Sequence, residues 1–256
     1  MLRDMYSRVS GNALFSRPKV MISIPYGVTE VEKRAVEDVT LEAGAQSVAL
    51  IEEPFAAAIG AGLRVEDARG SMIIDIGGGT TEVAVISLGG IVLSNSIKIA
   101  GDTFDESIAA YIKNNFHVLI GDVTAEELKK NLGSALEATD RGAMEIRGRN
   151  LQNGLPAILT VNSAQIREAM SEDISRIIDC IRNTLETTPP ELSSDIYDSG
   201  IMLTGGGALI AGLAQVIAQT TGIRVIVAKS PLDCVAVGIG HVIESDFNGA
   251  VSFRNR

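Results

Sequence analysis

Apolar and polar positions divide the chain into strand-length apolar runs and longer stretches that repeat every three to four residues. A β-branched run at 20–24 is closed by Pro25, and Thr29 with Glu32 has capping-box spacing, which predicts a helix from there to Gly44. A second buried strand is predicted at 48–51. Pro54 then opens a small-residue helix through Phe55, Ala56, Ala57, Ala58, Ile59 and Gly60. Strand, helix, strand, helix in this order predicts a parallel pair. After a polar stretch at 64–70, where a domain boundary is placed, apolar runs at 72–76, 81–87 and about 91–99 predict an antiparallel meander. Gly77, Gly78 and Gly79 lie in its first turn.

Asp102 is placed to cap a helix whose apolar face is Phe104, Ile108, Tyr111 and Ile112. Thr124 with Glu127 predicts a second capping box, opening a helix over 128–136. Asn153-Gly154 predicts a hairpin between two short strands within 144–161. Ile166, Met170, Ile174, Ile177, Ile178, Ile181 and Leu185 predict one long helix over 163–187, stopped by Pro189-Pro190. A strand at 201–203, a turn at Gly205, Gly206 and Gly207, a helix to about Thr221, a strand at 224–228 and a helix opened by Ser230-Pro231 complete the reading.

Composition narrows this to an α/β protein. The 256 residues are 46% hydrophobic but only 4% aromatic, so the apolar content is aliphatic, as in sheets buried on both faces. Disorder, collagen and disulfide scaffolds are excluded. Few aromatics and a net charge of -10 argue against nucleic-acid partners. The first 20 residues run the other way, with Arg3, Arg8, Arg17 and Lys19 against Asp4. With charges at 3, 4 and 8 and no apolar core, they predict no signal peptide. Cys180 and Cys234 lack metal-site or redox spacing, so reduced thiols are expected. The uncharged stretch 199–223 is long enough for a membrane span, but its glycines and polar end predict a strand, turn and helix instead.

Candidate chemistry gathers at two glycine turns. Asp75, Gly77, Gly78, Gly79, Thr80 and Thr81 lie between two apolar strands, where glycines let backbone N–H groups approach a polyphosphate. Asp75 at the strand end can hold Mg²⁺ through water; alternatively it only caps a glycine hairpin. Thr204, Gly205, Gly206 and Gly207 follow a strand and are read as leading directly into a helix whose amides face an anion. Neither turn has P-loop or dinucleotide-fingerprint spacing, and one phosphate group gripped from two sides explains the pair. Glu53 at the end of a strand can orient a water for attack on a phosphate, or simply favour a helix dipole. Glu126 and Lys129 share a helical face and also suit a plain surface pair. Leu14-Phe15 between Arg8 and Arg17 suits insertion at an anionic membrane, or ordinary packing. His117 and His241 belong to no catalytic arrangement.

The run from Leu50 to Gly60, the run from Asp75 to Gly89, Ala100-Gly101-Asp102, Arg147-Gly148-Arg149-Asn150, Thr188-Pro189-Pro190-Glu191-Leu192 and Leu203-Thr204-Gly205-Gly206-Gly207 closely resemble the MreB/Mbl family of bacterial actin homologues. The resemblance covers nearly the whole chain. It implies an α/β, actin-like (ribonuclease H-like) ATPase fold of two lobes, with Met1 aligned to the middle of the family chain and the first lobe therefore N-terminally truncated. Residues 1–67 would be the remnant of the first lobe. Residues 68–229 would form the second, with a small insertion at about 118–161, and 230–256 would return toward the first.

The resemblance further implies ATP and Mg²⁺ as cofactors, self-assembly into filaments or joining of intact ones, a peripheral cytoplasmic place at the inner membrane face, and work with the wall-synthesis machinery in cell shape. By position, Gly77, Gly78, Gly79, Thr80 and Thr81 match the second phosphate loop, Asp75 the metal-side aspartate and Glu53 the water-positioning acid. Glu126 and Lys129 match the helix touching the nucleoside. Gly205, Gly206, Gly207 and Ala208 match the adenosine turn, and Leu14 and Phe15 the membrane loop. A nucleotide-impaired regulatory fragment and a small-molecule kinase of the same superfold are the alternative readings.

Overall fold

Aliphatic runs pair into three sheets in a computed structural model that describes residues 17–244, together with position 5 and positions 254–255. In the first sheet β1 (Lys19–Ile24) and β2 (Ser47–Glu52) are parallel and joined by α1 (Glu30–Glu42), while β11 (Arg254–Asn255) pairs antiparallel with β2. The predicted capping box opens α1. Thr29 donates its backbone N–H and hydroxyl to Glu32 Oε2 at 2.9 and 2.7 Å, and the Glu32 N–H donates back to Thr29 Oγ1.

The central sheet contains β3 (Ser71–Ile76), β4 (Thr81–Ser87), β5 (Gly90–Ile97), β9 (Ile201–Thr204) and β10 (Val225–Val227), in the spatial order β10-β9-β3-β4-β5. β3, β4 and β5 form the predicted meander, and β9 and β10 extend it in parallel from β3. Alternation along β3 and β4 sorts their side chains into two cores. Met72, Ile74, Ile76, Val83 and Val85 pack with α3 (Gly101–Phe116) and α5 (Ser163–Thr187). Ile73, Ala84 and Ile86 pack on the other side with α2 (Glu53–Gly60) and α8 (Cys234–Glu244). At the sheet's edge β5 is partly exposed and carries no charge and no proline between Gly90 and Ile97.

A third, antiparallel sheet of β6 (Val118–Leu119), β7 (Ala143–Asn150) and β8 (Pro156–Asn162) turns at Asn153-Gly154, as predicted, with Gly154 at φ +76°. Between β6 and β7 comes α4 (Asp122–Leu132). Later elements are α6 (Pro190–Ser199) and α7 (Leu213–Thr221). The chain thus uses one unit twice: β1-α1-β2-α2 and β9-α7-β10-α8 are both parallel pairs with a crossover helix and a following helix.

Several predicted boundaries move. Pro190 does not merely follow the end of α5 at Thr187; it opens α6, because the missing N–H costs nothing at a helix start. α4 begins at Asp122 with Gly121 as its cap, so Thr124 lies inside the helix, which stops at Leu132. α3 is entered through Ala100, which leaves Asp102 in its first turn. The uncharged stretch 199–223 resolves into β9, a short 3₁₀ turn and α7. Among the described residues no helix is long and apolar enough to cross a membrane.

α2 and α8 cross in backbone contact. A Cβ on Gly60 would lie 1.8 Å from the Cys234 carbonyl oxygen, and one on Gly238 would lie 1.8 Å from that of Ala56. No side chain fits between them. Gly238→Ala is therefore expected to destabilise the protein by about 3 kcal/mol in urea unfolding, the upper range for overpacking. Gly240→Ala in the same helix meets nothing within 4 Å and should leave the midpoint unchanged or slightly raised.

Candidate phosphate-binding site

Pairing of Asp75 with Glu82 and of Ile76 with Thr81 leaves a four-residue turn at 77–80 between β3 and β4. The Gly77 N–H closes it on the Thr80 carbonyl at 2.9 Å. The start of α3 holds it from outside: the Gly101 N–H donates to the Gly77 carbonyl at 3.1 Å and the Asp102 N–H to that of Gly78 at 2.8 Å. These are first-turn helix donors, which have no partner within the helix itself. Asp102 thus serves the turn through its backbone. Gly78 and Gly79 keep their N–H groups out of the backbone bonding found among the described residues, and a Cβ on Gly79 would meet nothing within 4 Å. Thr81 is buried, its hydroxyl donating to the Ile99 carbonyl at 2.6 Å.

Lys129 reaches this turn from α4. Its ammonium donates to the Gly101 carbonyl and to Asp105 Oδ2, both at 2.7 Å, so it braces the helix start beneath the glycines. The alternative reading, a surface pair with Glu126, does not form. Glu126 is exposed and bonds Lys130 at 2.7 Å, one helical turn along, because the Lys129 ammonium is drawn to the less exposed carbonyl and carboxylate of α3.

Asp75 and Glu82 face each other across β3 and β4 on the side that carries Ile73 and Ala84, toward α2. Glu53, the first residue of α2, arrives at the same end, so three carboxylates converge. Burial raises Glu53 above the usual carboxylate range, helped by Asp75. Burial also raises Asp75, against the hydrogen bond donated by the Thr204 hydroxyl at 2.8 Å. Glu82 is only 1% exposed, and burial first, then the Glu53 charge, push it from 4.5 up to about 8. Its Oε1 accepts the Tyr26 N–H at 3.1 Å, and its Oε2 is buried without a partner.

Register places Thr204 beside Asp75, so the two glycine turns sit together at the ends of neighbouring parallel strands. They are not alike. Gly205 has φ +79°, and a Cβ there would lie 2.2 Å from the Ile76 carbonyl oxygen; one on Gly207 would lie 2.3 Å from Ile76 Cγ2. The expected helix does not start at this turn. A 3₁₀ turn (Gly206–Leu209) containing buried Ala208 follows, and α7 starts only at Leu213, so these glycines serve close packing on β3.

The residues present fit a hydrated Mg²⁺-polyphosphate. Gly78 and Gly79 offer an open backbone cradle, and an orphaned carboxylate oxygen beside Asp75 awaits a donor. Glu82, Tyr26 and Asp105 are functional candidates that motif reading missed; a glutamate in an otherwise apolar strand was the available signal for the first. Leu14 and Phe15 lie outside the described residues. Cys180 and Cys234 are free and buried, with thiols pushed up by burial.

A family model described as MreB/Mbl protein matches residues 1–248. The cell shape-determining protein MreB of Escherichia coli strain K12 is 48% identical over 255 residues, covering 99% of this chain and 74% of that protein. The crystal structure of MreB5 of Spiroplasma citri bound to ADP superposes with a TM-score of 0.91 at 38% identity, over 97% of this chain and 75% of that one; the AMPPNP-bound form gives 0.90. A MamK double helical filament shares the fold at TM-score 0.79 and 21% identity, over 95% of this chain and 73% of that one.

The raised carboxylates set a pH dependence. As pH climbs from the ordinary carboxylate range to about 8, the unfolded chain releases a proton that folded Glu82 keeps, so native stability declines. Glu82→Gln removes that loss while retaining an acceptor for Tyr26. Its melting temperature is expected to rise relative to the parent between about pH 5 and about pH 8, then to keep a constant lead; a gap that shrinks with pH would contradict the burial.

Proposed function

The chain belongs to the MreB/Mbl family and has its actin-like fold, and from this we propose that it binds ATP with Mg²⁺ between two lobes, self-assembles or joins related filaments at the inner membrane face, and helps set cell shape by organising wall synthesis. The observation that carries the nucleotide reading is the open turn at Gly78 and Gly79, clamped by the start of α3 and set beside Asp75, Glu82 and Glu53. The Spiroplasma citri relative, solved with ADP and with AMPPNP, supports it. The relatives' name supports the shape role. In this reading residues up to 67 belong to one lobe, 68–229 to the other with an insertion at about 118–161, and 230–256 return toward the first.

Each residue then has a task. Gly78 and Gly79 donate backbone N–H groups to phosphate oxygens, with Gly77, Thr80 and Thr81 shaping the turn. Bound Mg²⁺ supplies charge neutralisation at the phosphates, and Asp75 accepts hydrogen bonds from its waters. Glu53 orients a water against the terminal phosphate, and its raised pKa makes it a better proton acceptor than an exposed carboxylate. The Gly205, Gly206, Gly207 and Ala208 turn supports adenosine, Glu126 reaches the nucleoside from the exposed side of α4, and Lys129 braces the phosphate turn from below.

Calorimetry with Mg·AMPPNP tests the reading. The parent should bind, and Gly79→Ala, which meets no atom of the fold, should melt like the parent yet bind about tenfold more weakly. Equal affinity would remove the turn from the site. For the membrane contact, the parent should pellet with anionic vesicles and a Leu14→Ser, Phe15→Ser variant should stay in the supernatant.

A further inference from the structure

Glu82 is used by neither the phosphate turn nor the proposed water-orienting acid, yet it is more buried than Asp75 and is tied to a distant segment. The Tyr26 N–H that it accepts lies in the turn between β1 and α1, 56 positions away in sequence. That turn is stiff. Pro25 precedes it, Gly27 bends at φ +80°, and the Thr29–Glu32 capping box fixes its exit. The other end of the link is β4, whose pairing with β3 fixes the phosphate turn.

One oxygen of Glu82 thus reports on the first sheet. The other, Oε2, is buried with no partner and shares its face of the sheet with Asp75. A carboxylate is a rigid plane, so a donor that anchors Oε2 also fixes the direction of Oε1. Without ligand Glu82 keeps its proton up to about pH 8, and an orphaned buried carboxyl oxygen is unfavourable in either state; a ligand that brings positive charge and a donor relieves it.

We propose that Glu82 is a positioning residue that couples the nucleotide site to the β1–α1 turn: a hydrated Mg²⁺-nucleotide donates to Oε2, which holds the carboxylate still and tightens its hydrogen bond to the Tyr26 N–H. The inference rests on the nucleotide-binding reading and adds to it the path by which occupancy is felt in the first sheet. Linkage makes the coupling reciprocal, so loss of the Tyr26 bond weakens nucleotide binding by the factor with which nucleotide strengthens that bond.

Hydrogen exchange at the Tyr26 amide, read on the same samples as calorimetry with Mg·AMPPNP, tests it. In the parent, exchange should slow about threefold or more on nucleotide addition. Glu82→Gln keeps a carbonyl for Tyr26 but puts an NH₂ where Oε2 was. It should retain the protection seen without nucleotide and lose the response. Glu82→Ala should lose both, and its affinity should fall by a factor similar to the parent's slowing. A structural role alone would change basal protection and leave the response intact. Binding by the parent with no change at Tyr26, or a full response in Glu82→Gln, overturns the coupling and leaves nucleotide binding standing. Absence of calorimetric binding to the parent overturns both.

Discussion

Two helices touch backbone to backbone because neither carries a side chain where they cross. Gly60 of α2 and Gly238 of α8 each leave room for a carbonyl of the other helix, and the first and central sheets are joined through the core around that contact. The position of α2 decides where Glu53 lies, and Glu53 lies opposite Asp75 because α2 packs against β3 and β4 at this depth. Seating α2 even one side chain further out would move the acid away from the phosphate turn. Packing therefore sets the chemistry here, and the twice-used unit explains its form: α2 and α8 are the equivalent last helices of the two β-α-β-α segments.

The carboxylates that this packing gathers work against the folded state. Burial raises Glu53, Asp75 and Glu82, and neighbouring carboxylates add to it at Glu53 and Glu82, so ionising the cluster is costly. Thr204 and the Tyr26 N–H offset part of this. In the proposed function, a magnesium-bearing ligand offsets the rest of this cost. The glycine turn is the opposite kind of construction: hydrogen bonds from the start of α3 hold its shape, Lys129 braces that helix start, and the Gly78 and Gly79 N–H groups take no part in this backbone bonding.

Local patterns made much of this readable in advance. The meander, α5 and the Asn153-Gly154 hairpin follow from periodicity and turn chemistry within a few residues, and Asp75, Gly77–Gly79 and Glu53 stood out because they end apolar runs. What remained hidden depends on distant neighbours. β4 is buried along its whole length, so Glu82 stands out in the sequence only as a glutamate in an apolar run, with nothing to say which partner it meets. The spacing of Glu126 and Lys129 suggested a pair, but a carbonyl and an aspartate on α3 capture the lysine. Gly238 looks like a weak point in a helix until Ala56 is seen against it. Pro189-Pro190 reads as a stop, and only the structure shows that its second proline is also a start.

The edge strand β5 has a consequence outside the finished fold. From Gly90 to Ile97 it offers a row of backbone groups with none of the lysines, prolines or inward charges that usually keep strand edges apart. While the chain is being synthesised, β5 emerges well before α5, the helix that later packs beside it. In that interval the partly built meander is a template for a neighbouring nascent chain. Docking of α5 on the sheet ends that interval.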